Sequence, residues 1–172
     1  MMKLILTDVD GVLTDGRVLL DEHGCESKSI SYRDLDAIGI GRRAGYEFAF
    51  VTGEDTEMAR QLAKRFGVEL LYTGAKDKLA AVNAISLEFD IPLSKLVYIG
   101  DSDRDAPAIA AVGLGVAPCD ASAQAKTSAN VITECAGGFG VLLETMDKLI
   151  SGEWNLLRRS KYESENDFLR SR

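Results

Sequence analysis

A chain of 172 residues that is 46% apolar and has only three prolines carries enough material for one globular domain with a substantial core. A net charge of −7 and a pI near 4.8 argue against a nucleic-acid or anionic-membrane partner, but not against a phosphorylated substrate, since a local cation and one or two basic side chains outweigh a distant field. No apolar run approaches the roughly 18 residues of a membrane span, and Cys25, Cys119 and Cys135, odd in number and widely spaced, fit buried free thiols of a cytoplasmic protein better than a disulfide framework or a zinc site.

The first strand-like run, Leu4–Leu6, begins within three residues of the N-terminus, leaving no charged leader before it, and ends in Asp8-Val-Asp10-Gly11. Arg17–Leu20 and Glu26–Tyr32 then flank the polar turn Asp21-Glu22-His23-Gly24, the pattern of a β-hairpin in which His23 is a turn residue. Phe48–Val51 is the next strand and leads into Thr52-Gly53-Glu54. Met58, Leu62 and Phe66 recur every four residues with Ala59 and Ala63 beside them, which predicts a helix stopped at Gly67. After the strand Leu70–Tyr72, the segment Gly74-Ala-Lys-Asp-Lys78 opens a helix with the stripe Leu79, Val82, Ile85 and Phe89, closed by Asp90-Ile-Pro92. Leu96–Ile99 leads into Gly100-Asp101-Ser102-Asp103-Arg104-Asp105, and Leu114–Ala117 and Val131–Ile132 complete the strands.

Strands separated by helices of about ten to fifteen residues predict an α/β fold with a doubly wound, Rossmann-like parallel sheet. The hairpin after the first strand cannot join that sheet, so it lies over the strand ends or pairs with another chain. We read residues 1–150 as a single catalytic domain and 151–172 as a charged tail in which Trp154, Leu156, Leu157, Phe168 and Leu169 are scattered.

In a parallel sheet the four loops after the strands share one edge, the usual place for a ligand crevice. They bring there two acids one residue apart, a hydroxyl with glycine amides suited to phosphate oxygens, a lysine, and an acidic cluster able to hold Mg²⁺. Asp8 and Asp10 suit the roles of nucleophile and proton shuttle around a divalent cation. Asp103 reads as a solvated or helix-capping acid.

This order of motifs resembles that of the haloacid dehalogenase superfamily of phosphatases, matched here by Asp8-Val-Asp10-Gly11, Thr52, Lys78 and Gly100-Asp101-x-x-x-Asp105 over about residues 3–150. The resemblance implies that Asp8 attacks phosphorus to form an aspartyl phosphate, and that Asp10 protonates the leaving alcohol and then deprotonates water. Mg²⁺ would be held by Asp8, the Asp10 backbone carbonyl and Asp101. Thr52 and the Gly53 amide would hold phosphoryl oxygens, Lys78 would neutralise their charge, and Asp105, with Ser102 beside it, would orient Lys78 or a metal-bound water.

Neither gap between motifs is long enough for a cap domain. The chain therefore resembles the capless subgroup acting on 3-deoxy-D-manno-octulosonate 8-phosphate and on the 9-phosphates of nine-carbon ulosonic acids. In that subgroup the hairpins of four subunits form a barrel, which implies a homotetramer. The resemblance rests also on Tyr72-x-Gly74, Asp77-Lys78-Leu79, Tyr98-Ile-Gly-Asp101 and Ala136-Gly137-Gly138-x-Gly140. Octulosonate phosphatases typically carry arginine where this chain has Glu54, and the Thr-Gly-Glu version is similar to phosphatases of deaminoneuraminate or sialate 9-phosphates. That favours a nonulosonate 9-phosphate as substrate, with the octulosonate ester as the alternative. Glu54 would accept from sugar hydroxyls or pair with Arg65 or Arg60 of an adjoining subunit, and Arg33 is the candidate for the substrate carboxylate. The family's second acid after Asp101 is here Ser102, and Phe139 replaces a frequent arginine or glutamate. A reading of another class, a non-catalytic tetramerisation domain like that at the C-terminus of some animal acylneuraminate cytidylyltransferases, is opposed by the complete set of catalytic acids.

Overall fold

The structure, a computed structural model, describes residues 3–154. In chain order the elements are β1 (Lys3–Thr7), β2 (Leu19–Leu20), β3 (Glu26–Ser27), α1 (Tyr32–Arg43), β4 (Tyr46–Val51), α2 (Glu57–Phe66), β5 (Leu70–Tyr72), α3 (Lys78–Glu88), a 3₁₀ turn (Leu93–Lys95), β6 (Val97–Ile99), α4 (Ala106–Ala111), β7 (Leu114–Ala117), α5 (Ala123–Ser128), β8 (Val131–Ile132) and α6 (Val141–Ser151). Six strands form one parallel sheet in the order β5-β4-β1-β6-β7-β8. This is the doubly wound sheet expected from the alternation of strands and helices.

The side-chain alternation of β1 divides the core. Ile5 joins Phe48, Phe50, Ile99 and Val116 on one face, under residues of α1, α2 and α6; Leu4 and Leu6 join Ala49, Val51 and Tyr98 on the other, under α3, α4 and α5. Because β1 is sandwiched between β4 and β6, connections leave it in opposite directions across the sheet, and the crevice at its carboxyl end is where a ligand site belongs.

Helix ends follow local chemistry. Ser31, Thr56 and Asp77 accept from backbone N–H groups in the first turns of α1, α2 and α3, and Gly67 takes the left-handed conformation that stops α2. The start of α6 is capped from a distance: buried Asp34 of α1 accepts from the N–H groups of Gly140 at 3.1 Å and Leu142 at 2.8 Å. Burial pushes the Asp34 carboxyl above its ordinary pKa, although those backbone donors work the other way.

The hairpin is present as a separate two-stranded antiparallel sheet, but its returning arm is shorter than expected. Ser31 caps α1 and Tyr32 already belongs to it, so the chain leaves the hairpin before Tyr32. Leu19 and Leu20 on its outgoing arm are exposed. The thiols also differ from expectation: Cys25 and Cys119 are exposed and Cys135 is half-buried, because all three lie in loops outside the helices and strands. Trp154, placed by the sequence with the tail, is buried in the core beside α6. The remainder of the expected tail lies outside the described residues. No helix among the described residues is long and apolar enough to cross a membrane.

Candidate active site

Pairing of β1 with β6 continues one residue beyond the strand, through the Asp8 N–H on the Ile99 carbonyl at 2.9 Å, and this fixes Asp8 at the sheet edge. The chain then coils sharply: the amides of Val12, Leu13 and Thr14 all donate to the Val9 carbonyl. The coil swings Thr14 back so that its hydroxyl donates to Asp10 Oδ1 at 3.1 Å. Gly11, at φ +78°, sits against the next acidic loop so closely that a Cβ would lie 2.1 Å from Asp101 Oδ2.

Lys78 opens α3 behind its Asp77 cap and points under the sheet edge, where it is buried. Its Nζ lies 2.8 Å from Asp8 Oδ2 and 3.2 Å from Asp105 Oδ1, and it donates to the Val51 carbonyl at 2.7 Å. Asp105 is itself fully enclosed. It accepts from the Tyr98 hydroxyl at 2.6 Å and from the Ser102 amide and hydroxyl at 3.0 and 2.5 Å. Burial works against its charge, but Lys78, then Ser102 and Tyr98, outweigh burial and hold its pKa below the ordinary value. A carboxylate with both oxygens so occupied is held fixed against Lys78.

Asp8 and Asp101 are in the opposite condition. Burial raises the Asp8 pKa to about 7, with Lys78 opposing and the Asp105 charge adding to the rise. Burial and then Asp105 raise Asp101 to about 6. Asp8, Asp101 and Asp105 each offer an oxygen within 4.8 Å of the others. Two of these acids lack sufficient positive charge, and all donors are hard oxygens, so the site fits Mg²⁺ on Asp8 and Asp101. The Asp10 backbone carbonyl, in the same loop, is the third expected donor.

A cleft of about 600 Å³ opens over these groups. Asp8, Asp10, Thr52, Gly53, Glu54, Lys78, Asp101 and Ser102 all line it, so the four strand-end motifs converge. Thr52 is buried at the end of β4, and its hydroxyl accepts from the Glu54 amide at 3.2 Å. Asp103 and Arg104 are exposed at the rim.

Two expectations change. Arg33 is exposed at the start of α1, with its aliphatic stem near Gly140, and does not line the cleft. Glu54 pairs within its own chain: Lys28 Nζ lies 3.1 Å from its Oε2, whereas Arg60 is paired with Asp55 and Arg65 with the Tyr32 ring and hydroxyl. The reason is that the hairpin folds back over the strand ends and delivers a nearer cation. Ser102 stands beside Asp105 as the sequence implies, its hydroxyl and amide both donating to that carboxylate. Phe139 is exposed outside the cleft.

Lys28 and Tyr98 are the groups that sequence reasoning missed. Lys28 stands two residues before Ile30, which packs on the core, so period-two alternation along the returning arm was the available signal for an inward lysine. Burial opposes its charge, but the hydrogen bonds it donates to Asp10 and Glu54 outweigh this and raise its pKa. Tyr98 reads as core packing in β6, and nothing local announces that its hydroxyl meets Asp105.

Comparison with known proteins agrees with this geometry. A family model for haloacid dehalogenase-like hydrolases matches residues 71–143. The 3-deoxy-D-manno-octulosonate 8-phosphate phosphatase KdsC of Escherichia coli K12 is 32% identical over 155 residues, covering 90% of this chain and 82% of that protein. The KdsC of Haemophilus influenzae is 30% identical over 170 residues, covering 99% and 93% of the two chains. Among solved structures, the octulosonate 8-phosphate phosphatase of Moraxella catarrhalis, in complex with a magnesium ion, a phosphate ion and a KDO molecule, superposes with a TM-score of 0.81 at 31% identity, covering 87% of this chain and 85% of that one.

Proposed function

The chain belongs to the haloacid dehalogenase-like hydrolases and is a Mg²⁺-dependent phosphatase of the capless group, and on that premise we propose that it hydrolyses 3-deoxy-D-manno-octulosonate 8-phosphate. The observation that carries this reading is likeness to octulosonate phosphatases along nearly the whole chain, combined with a complete set of site residues in one cleft.

In the proposed reaction Thr52 and the Gly53 amide hold two phosphoryl oxygens at the end of β4. Asp8 attacks phosphorus; the Asp8–phosphorus bond forms as the ester oxygen–phosphorus bond breaks, and Asp10 gives its proton to the departing alkoxide. Asp10 then takes a proton from water as water attacks the aspartyl phosphate, which returns Asp8 and releases inorganic phosphate. Lys78 carries positive charge at the oxygens that become more negative, and Asp105 and Tyr98 keep it aimed there. Mg²⁺, when bound by Asp8, Asp101 and the Asp10 carbonyl, supplies the charge that lets an anionic carboxylate approach an anionic phosphate.

One observation favours a second substrate. Glu54 lines the cleft where an arginine is typical of octulosonate phosphatases, which suits a nonulosonate 9-phosphate such as that of deaminoneuraminate or N-acylneuraminate. A side-by-side measurement of kcat/KM on octulosonate 8-phosphate and the two 9-phosphates decides between them. Preference for octulosonate by tenfold or more is the expected result; the same margin for a 9-phosphate overturns it.

The hairpin also has a proposed role. Leu19 and Leu20 are 73% and 68% exposed on a two-stranded sheet that has no other strand to pair with among the described residues, and so small a sheet is marginal alone. A homotetramer joined through the hairpins covers these side chains. Light scattering at about four chain masses is expected, falling to one for Leu19→Lys with Leu20→Lys. A cytoplasmic location accords with the free thiols.

A further inference from the structure

Lys28 occupies a position that the reaction outlined above does not use. Its Nζ lies 2.8 Å from Asp10 Oδ1, 2.9 Å from Asp10 Oδ2 and 3.1 Å from Glu54 Oε2. The Lys28 side chain is only 4% exposed, against 30% for Asp10 and 50% for Glu54. A surface ion pair holds neither end still, because both side chains are solvated and free to turn. Here the ammonium is enclosed and spans both oxygens of one carboxylate. From the other side the Thr14 hydroxyl donates to Asp10 Oδ1 at 3.1 Å. Asp10 is thus gripped between its own loop and the hairpin, and torsion of its carboxyl group is blocked from two directions.

The chemistry asked of Asp10 gives that grip a purpose. A group that hands a proton to one oxygen and later takes one from another must keep its carboxyl within hydrogen-bond reach of both, and small misplacements are costly. Lys78 cannot serve, because its donors are committed to Asp8, Asp105 and the Val51 carbonyl. A role for Lys28 as a direct ligand of the substrate's carboxylate fits less well, since its charge is already shared between two acids. Glu54 acts as the second anchor, which fixes where along the cleft the ammonium rests.

We propose that Lys28, delivered by the inserted hairpin, is the positioning residue of the acid–base Asp10, holding its carboxyl in the proton-transfer geometry and linking it to Glu54. Lys28 itself gives and takes no proton. The inference rests on the reading of Asp10 as the proton carrier.

The test is a double-mutant cycle on the full-length enzyme with Mg²⁺ and octulosonate 8-phosphate, using Lys28→Met, Asp10→Asn and the pair. Lys28→Met is expected to lower kcat by about 30-fold while moving KM by less than about threefold, and Lys28→Arg to recover most of the loss. In the Asp10→Asn background, followed under single turnover with enzyme in excess, Lys28→Met is expected to add less than about twofold. Independent, multiplying losses overturn the proposal, as does a rise in KM at constant kcat, which marks a substrate ligand. Unchanged kcat for Lys28→Met overturns it too. Circular dichroism and Mg²⁺ calorimetry on both Lys28 variants separate misfolding from positioning: if Lys28→Met unfolds, a folded Lys28→Arg whose kcat has fallen by about 30-fold overturns the proposal, and one with near-native kcat supports it. Wild-type kcat in Asp10→Asn removes the parent reading instead, an outcome distinct from multiplying losses.

Discussion

The hydroxyl of Tyr98 donates to Asp105 Oδ1 at 2.6 Å, and both side chains have no solvent exposure. The counter-ion of the active-site lysine is therefore anchored on the middle of the sheet rather than on a loop. Tyr98 packs its ring with Leu4, Leu6 and Val51 and places its one polar atom at the sheet edge.

Tyr98→Phe removes that anchor and leaves a buried carboxylate one donor short. A loss of about 1–3 kcal/mol in urea unfolding is expected. Asp105 retains Ser102 and Lys78, so kcat is expected to fall by only about five- to tenfold; a stability curve overlying the wild type contradicts the assignment.

Gly11→Ala tests the approach of the two acidic loops. At φ +78° the new Cβ is strained, and at 2.1 Å from Asp101 Oδ2 it must displace that carboxylate. Mg²⁺ affinity by calorimetry is expected to weaken by at least about tenfold, with far-ultraviolet circular dichroism unchanged.

The acids Asp8 and Asp101 predict how pH and metal act together. Their folded pKa values, about 7 and about 6, exceed the ordinary 3.8, so between about pH 4 and pH 7 the metal-free folded chain holds more protons than the unfolded chain. Its stability therefore falls as pH rises through that window. Asp105, held below 3.8, acts only at lower pH, and Asp34, raised by burial, adds to the same decline. Mg²⁺ binds the deprotonated acids, so it is expected to tighten with rising pH, release protons and reverse the decline. Urea unfolding from pH 4.5 to 7.5, with and without Mg²⁺, checks this. Asp101→Asn is expected to give a shallower decline and to abolish the Mg²⁺ effect.

Asp34→Ala strips the cap from α6 and leaves the amides of Gly140 and Leu142 buried without acceptors. A destabilisation of about 2–4 kcal/mol is expected from chemical denaturation. Asp34→Asn, which keeps one acceptor oxygen, is expected to lose less.

Groups whose position depends on the sheet edge were legible from the chain alone. Strand runs such as Leu70–Tyr72 and Leu114–Ala117 carry their period locally, and a parallel sheet then places Asp8, Thr52, Lys78 and Asp101 together without further information. What escaped depends on tertiary contact. Lys28 meets Asp10 only because of how the hairpin leans over the strand ends. Asp34 caps a helix 106 residues further on. Arg33 was misplaced for the same reason: its position after the hairpin is local, but its direction is set by α1 packing. Substrate choice is least legible, because Glu54 is one exposed carboxylate whose meaning depends on what faces it.

The contact between Gly137 and Gly11 ties two distant stretches of the chain together. A Cβ on Gly137 would fall 2.1 Å from the Gly11 carbonyl oxygen, and the Gly138 amide donates to Val12 at 2.9 Å. The loop bearing Asp8 and Asp10 is thus buttressed by a turn far along the chain. The brace is a contact of long sequence separation, so the loop gains its support only when that distant turn has packed against it.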